Sequence, residues 1–163
     1  MQSEYDYMKL SSTVSSLEVF RMNVTRNKCD LSQRIAFTAG VTSDSSSWNS
    51  GTLVYNKVIN NVGGGYNPST GIFTAPVEGD YVFYVSIQSY GSKHILIDIV
   101  LNGSSKVRAT AYSYTSNEAE DVGTNLVTLR LQKRDKVWVK HYSGTGYDTY
   151  TDAPSVTFSG FLI

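Results

Sequence analysis

The chain predicts an all-β fold, a sandwich or jelly roll, and three observations carry that prediction. From Ile35 onward, β-branched and aromatic residues collect in short runs, the composition of a pleated, half-buried surface. Between these runs lie Ser/Asn/Gly clusters, at Ser43 to Gly51, Asn60 to Thr70 and Ser143 to Pro154, whose residue types form turns. No part of this region keeps a helical period.

In order, strands are predicted at about 35–40, 52–58, 71–75, 80–89, 93–102, 105–114, 124–132, 136–143 and 155–163. The most regular segment is Asn61 to Phe83, with Gly63, Tyr66, Gly71, Phe73, Pro76, Gly79, Tyr81 and Phe83 at fixed offsets. Glycine supplies the positive-φ positions that tight turns need, and proline sets φ at one more. The segment reads as a turn, a short strand, a turn and a long strand.

Residues 1–33 differ, with no strand alternation and no Gly or Pro. Leu10, Val14, Leu17, Val24 and Leu31 fall at four- and three-residue spacing once Arg21 and Lys28 are accepted in the seam. That is a heptad pattern over about three repeats, while Ser and Thr at 11–16 weaken helicity. The stalk is therefore either a short coiled coil or a loosely ordered tail. Cys29 is the single cysteine, which gives no internal disulfide and no zinc constellation. It is either a free thiol or an interchain bridge at the joint between stalk and domain.

Composition excludes several classes. Lys+Arg and Asp+Glu both total 14, for a formal net charge of zero, so nucleic acid is not an expected partner. No stretch approaches the roughly 18 apolar residues of a membrane span. The first residues, MQSEYDYMKL, contain no signal-peptide core. Either the protein is intracellular or a leader has been removed; the sequons at Asn23 and Asn102 are compatible with export. No nucleophile elbow, phosphate loop or His-Glu-x-x-His is present, and Gly63-Gly64-Gly65 precedes no helical pattern. Asp44, Asp121, Asp148 and Asp152 are scattered, with no pairing visible. The chain is not expected to be an enzyme.

The Asn61–Phe83 run also resembles the signature of the complement C1q globular-domain family. The matching residues are Tyr55, Asn61-Val62-Gly63, Tyr66, Gly71-Ile72-Phe73-Thr74-Ala75-Pro76 and Gly79-Asp80-Tyr81-Val82-Phe83. Ile35 to Ala39, Leu101-Asn102-Gly103, Asp135 to Val139 and Thr157 to Leu162 resemble further strands and a hairpin of that family, in order. Two positions depart from it: Arg134, where members usually carry glycine, and Asp80, where the residue is often apolar. The resemblance implies a ten-stranded jelly-roll sandwich, like that of tumour necrosis factor, over 34–163 behind the 1–33 stalk. It also implies a secreted protein. No Gly-X-Y run precedes the domain, so complement assembly through a collagen stem is not expected.

The last strand is apolar on both faces, with Phe158 and Leu162 on one and Phe161 and Ile163 on the other. Strand 80–89 behaves likewise, Val82 and Tyr84 opposing Tyr81, Phe83, Val85 and Ile87. A second apolar face needs a cover, and the family provides it by packing three subunits around a threefold axis. A homotrimer is expected.

Twelve tyrosines are the clearest compositional bias. Tyr112, Tyr114, His141, Tyr142, Tyr147, Asp148, Tyr150 and Asp152 form the candidate ligand set. Tyrosine offers a flat ring for sugar C–H faces and a hydroxyl for hydrogen bonds, and carboxylates bind sugar hydroxyls strongly. The competing expectation is that these residues cover the sandwich and form a solvated connector. Glu118, Glu120 and Asp121 belong to the only acidic cluster. They are either hard oxygen ligands for calcium or a solvated loop; the family's calcium motif is out of register here. The leading expectation is a secreted trimeric pattern-recognition lectin that binds microbial or other glycans, similar to invertebrate C1q-domain proteins. The alternative is an extracellular cytokine-like, cerebellin-like or matrix protein that binds a protein receptor.

Overall fold

The structure, a computed structural model, describes residue 9 and residues 14–19, 34–113 and 120–163. The chain divides after residue 33 into two units. In the first, residues 14–19 are helical, and Val14, Leu17 and Val19 are exposed. The heptad positions Leu10, Arg21, Val24, Lys28 and Leu31, together with Asn23 and Cys29, lie outside the described residues.

The second unit contains ten strands: β1 (Ala36–Gly40), β2 (Lys57–Val62), β3 (Tyr66–Asn67), β4 (Ile72–Thr74), β5 (Gly79–Tyr90), β6 (His94–Leu101), β7 (Ser104–Tyr112), β8 (Glu120–Leu131), β9 (Lys136–Gly144) and β10 (Thr157–Leu162). They form two five-stranded sheets, β2-β1-β10-β5-β8 and β3-β4-β9-β6-β7. Every pairing is antiparallel. This is the expected jelly-roll sandwich.

Three details differ from expectation: β8 begins at Glu120, four residues before the predicted start at 124, and the other two lie where the chain changes sheet. Residues 52–55 run beside β9, with Leu53 N–H donating to Val139 O at 2.9 Å. Leu53 and Tyr55 are buried, which gives this stretch its strand-like composition. The chain then crosses to pair with β1 as β2, four residues later than predicted at its C-terminal end. The two-residue β3 lies inside the expected Asn60–Thr70 loop, too short to show a period.

Alternation along the strands builds the core. Tyr81, Phe83, Val85 and Ile87 of β5, Ile95, Ile97 and Ile99 of β6, and Val137 and Val139 of β9 are completely buried. Phe37 sits at the centre, stacked on Tyr66 at 4.8 Å and Phe73 at 5.1 Å and edge-on to Phe158 at 5.0 Å. Gly160 makes room for this cluster, since a Cβ there would lie 2.7 Å from the rings of Phe37 and Phe83. Each fully buried large side chain contributes about 1.5–3 kcal/mol.

The signature run is part of this scaffold. The Asn61 side chain accepts from Tyr66 N–H at 3.2 Å and donates to Tyr66 O at 2.9 Å, closing the turn around Gly63 at φ 79°. The Tyr66 hydroxyl then donates to Tyr55 O at 3.0 Å and accepts from Tyr55 N–H at 3.2 Å. Burial pushes this phenol up to about 12. Arg134, in the turn between β8 and β9, adopts φ 77°, a conformation that favours glycine. Asp80 forms an exposed ion pair with Arg130 at 3.0 Å, which accommodates its polarity.

Candidate functional site

One end of the sandwich gathers the end of β5, the starts of β6 and β8, the ends of β7 and β9, and the segment 143–152. Glycine lets that segment turn tightly. Gly144 (φ 86°) passes so close to His94 O that a Cβ would collide with it. Gly146 (φ 75°) donates to Trp48 O at 2.8 Å, and Tyr147 exchanges backbone hydrogen bonds with Ser45 at 2.9 and 3.2 Å. Asp148 N–H donates to Gln88 O at 3.1 Å, extending the line of β10 beside β5. Thr149 is buried; its N–H donates to Asp44 Oδ1 at 2.7 Å and its hydroxyl to Val41 O at 3.1 Å.

Two aspartates, Asp44 and Asp148, meet here. Asp44 and Asp148 lie within hydrogen-bonding reach of each other, with Glu120 close by. The pairing that the sequence conceals is thus present, because Asp44 arrives from a loop 104 positions away. Burial, reinforced by Asp44 and Glu120, pushes the Asp148 carboxyl up. The Tyr150 hydroxyl donates to Glu120 Oε2 at 2.9 Å, and that carboxylate pushes the phenol up. Burial, followed by the Asp44 charge, does the same to Tyr147.

The other candidate residues point elsewhere. Tyr112 stacks on His94 at 5.3 Å, and its N–H donates to Asp121 Oδ2 at 2.6 Å. His141 Nε2 donates to Gly144 O at 2.8 Å, with its ring edge-on to Trp48. Tyr142 is exposed beneath the guanidinium of Arg108, 3.0 Å from the ring centroid. Arg108 in turn holds the buried Asp98 carboxylate through two contacts of 2.6 and 3.0 Å, which keep that carboxyl below its ordinary value. Asp152 caps Ala153 N–H at 2.9 Å, and its carbonyl accepts from Lys57 Nζ at 2.7 Å. Tyr114 and Glu118 lie outside the described residues. Of the seven described ligand candidates, Tyr147, Asp148 and Tyr150 share one neighbourhood with Asp44, Lys93 and Glu120, and His141 joins Tyr147 through Trp48, whose ring is edge-on to both.

For calcium, the two described members of the acidic run diverge. Glu120 and Asp121 are consecutive in β8, hence on opposite faces, one engaged by Tyr150 and the other by the Tyr112 amide. Among the described residues no three His, Cys, Asp or Glu side chains converge on a metal-sized point. Glu118, the third member of the run, lies outside the described residues.

The second region of interest is the outward face of the β2-β1-β10-β5-β8 sheet. The register aligns Val62, Ala36, Phe161, Val82 and Thr128 in one row across it. The next row is Asn60, Thr38, Ser159, Tyr84 and Leu126. Val62, Phe161, Tyr84, Leu126 and Val122 are all exposed, between 37% and 54%. The Thr38 and Ser159 hydroxyls satisfy each other at 3.0 Å, so the polar centre of this face needs no outside partner.

These strands define the class of antiparallel two-sheet jelly rolls, here with an outward apolar face. The sequence model of the family described as C1q domain matches residues 36–163, and the chain belongs to that family. Complement C1q tumor necrosis factor-related protein 3 of Mus musculus is 30% identical over 131 residues, covering 80% of this chain and 51% of the relative. Complement C1q tumor necrosis factor-related protein 2 of Homo sapiens is 37% identical over 116 residues, covering 68% and 38%. The chain thus spans about half of one of these relatives and less of the other. The globular domain of zebrafish complement 1qA protein superposes with a TM-score of 0.62 at 23% identity, covering 79% of this chain and 97% of that one. The Eiger TNF structure from S. frugiperda gives 0.64 at 14% identity, covering 80% and 92%. These likenesses show the shared fold.

Proposed function

We propose that this chain is the recognition domain of a secreted, homotrimeric, cytokine-like ligand that binds a protein receptor. The outward face of the β2-β1-β10-β5-β8 sheet carries the assembly part. Covering Val62, Phe161, Val82, Tyr84 and Leu126 with a second and third copy would stabilise the trimer by about 1.5–3 kcal/mol for each fully buried side chain. The receptor part rests on the relatives whose names join C1q to tumor necrosis factor. The local geometry agrees with it. The Tyr150 hydroxyl and the Glu120 carboxylate satisfy each other, and the Tyr142 ring is capped by Arg108, so these groups are already engaged and not open to a sugar ring.

Binding of labelled chain to cells, with and without calcium, tests the receptor part. Loss of binding after mild protease treatment of the cells, with no loss after glycosidases, is the expected result. Binding that glycosidases abolish, or that a glycan array reproduces, would overturn it in favour of the lectin.

A further inference from the structure

A cleft of about 100 Å³ opens at the same end of the sandwich, between residues 44–46, the β5–β6 turn and residues 146–148. Asp44 and Asp148 line it together with Tyr90, Tyr147 and Lys93. Gly146 lets one wall pack closely on the other, since its conformation is one that side chains rarely adopt and a Cβ there would press against Ser46 O at 2.8 Å.

Lys93 brings one positive charge to the two aspartates of this cleft, and Asp44 also accepts the Thr149 N–H, but no ion pair among the described residues engages either carboxyl. The ion pairs among the described residues are Arg108–Asp98, Arg130–Glu78 and Arg130–Asp80, and none involves Asp44, Asp148 or the adjacent Glu120. Lys93 lines the cleft without reaching ion-pair distance of either aspartate. The crowding shows in Asp148, which holds its proton more tightly than an ordinary carboxyl because of burial first and Asp44 second. Among the described residues no three His, Cys, Asp or Glu side chains form a metal-sized set at this cleft. An organic cation is better matched. Its N–H groups form charge-assisted hydrogen bonds with carboxylates, and its alkyl stem and positive charge suit tyrosine faces.

We propose that this cleft binds one organic monocation, the ammonium or guanidinium end of a lysine or arginine side chain on a protein partner. The receptor reading supplies only the source of that side chain; the cation chemistry stands on the cleft itself.

Calorimetric titration of the full chain with N-acetyl-lysine methylamide and N-acetyl-arginine methylamide, and separately with calcium chloride, tests the proposal. Saturable binding of at least one amide is expected, about tenfold weaker in Asp148→Asn and in Asp44→Asn, each of which removes a charge and keeps the side chain's shape. Lys93→Ala, at an exposed position, should tighten binding by removing a competing charge. Melting curves establish that each variant is folded. No saturable response from wild-type protein would overturn the proposal, as would an Asp148→Asn titration matching wild type or calcium binding more tightly than either amide. Cell binding that survives while the amide titrations fail would sink this proposal alone. The reverse outcome would sink the receptor reading alone.

Discussion

In the segment Asn61–Phe83 the tyrosines are buried, and their hydroxyls bind main chain close by in sequence: Tyr66 binds Tyr55, and Tyr81 donates to Val77 O at 2.9 Å. In the segment 143–152 the partners come from far along the chain. Tyr150 reaches Glu120, Thr149 reaches Asp44, and Asp148 reaches Gln88. Both segments are rich in glycine and tyrosine. The first seals its polar groups inside the sandwich and braces the core. The second ties a loop and the ends of two strands together at the surface and leaves carboxyls facing a cleft. The same residue types thus build scaffold or surface according to how far away their partners lie.

The predictions separate the two regions, beginning with the largest effect. Phe37→Ala should destabilise the domain by about 3–5 kcal/mol, because it empties the centre of the aromatic cluster. Chemical denaturation measures this, and a loss under about 1 kcal/mol would mean that the core collapses around the gap. Tyr66→Phe leaves the Tyr55 N–H and C=O without their hydroxyl partner, and should lower the unfolding free energy by about 1–3 kcal/mol.

Arg134→Gly should act in the opposite direction, adding about 1 kcal/mol by relieving the positive φ; an unchanged melting temperature would show that the turn relaxes without help. Tyr150→Phe removes only an exposed contact and should shift stability by less than about 0.5 kcal/mol. If its effect rivalled that of Tyr66→Phe, the contrast between the segments would fail.

The pH dependence sharpens the surface side of the comparison. The Asp148 carboxyl binds its proton more tightly in the folded chain than in the unfolded chain. Its ionisation therefore opposes folding, and stability falls as pH rises from the ordinary carboxylate value through the raised one. Asp148→Asn should gain stability over wild type at neutral pH, and the gain should disappear at pH values below the ordinary carboxylate range. A gain independent of pH would place the effect elsewhere.

The same contrast explains what the sequence disclosed. Within Asn61–Phe83 the Asn61–Tyr66 clasp and the glycine turns involve neighbours, so spacing alone exposes the scaffold. The outward apolar row was legible too, since Phe158 and Phe161 fall on opposite faces of one short strand. The cleft was not legible. Asp44 meets Asp148 only because the 42–48 loop folds against the far end of β9, and no local pattern announces a contact of that range. Tyr142 was grouped with Tyr147 by sequence proximity, although β9 directs it toward Arg108, whereas His141 and Tyr147 do meet through Trp48. Strand β3 was missed because two residues carry no alternation.

The account depends most directly on the outward face of the β2-β1-β10-β5-β8 sheet. Sedimentation equilibrium of wild type and Phe161→Glu at micromolar concentration tests it, because Phe161 is nearly half exposed in the single chain. The wild type should sediment at three times the 18.0 kDa chain mass, and Phe161→Glu should sediment as a folded monomer. A monomeric wild type, or a Phe161→Glu variant that remains trimeric, would contradict the account.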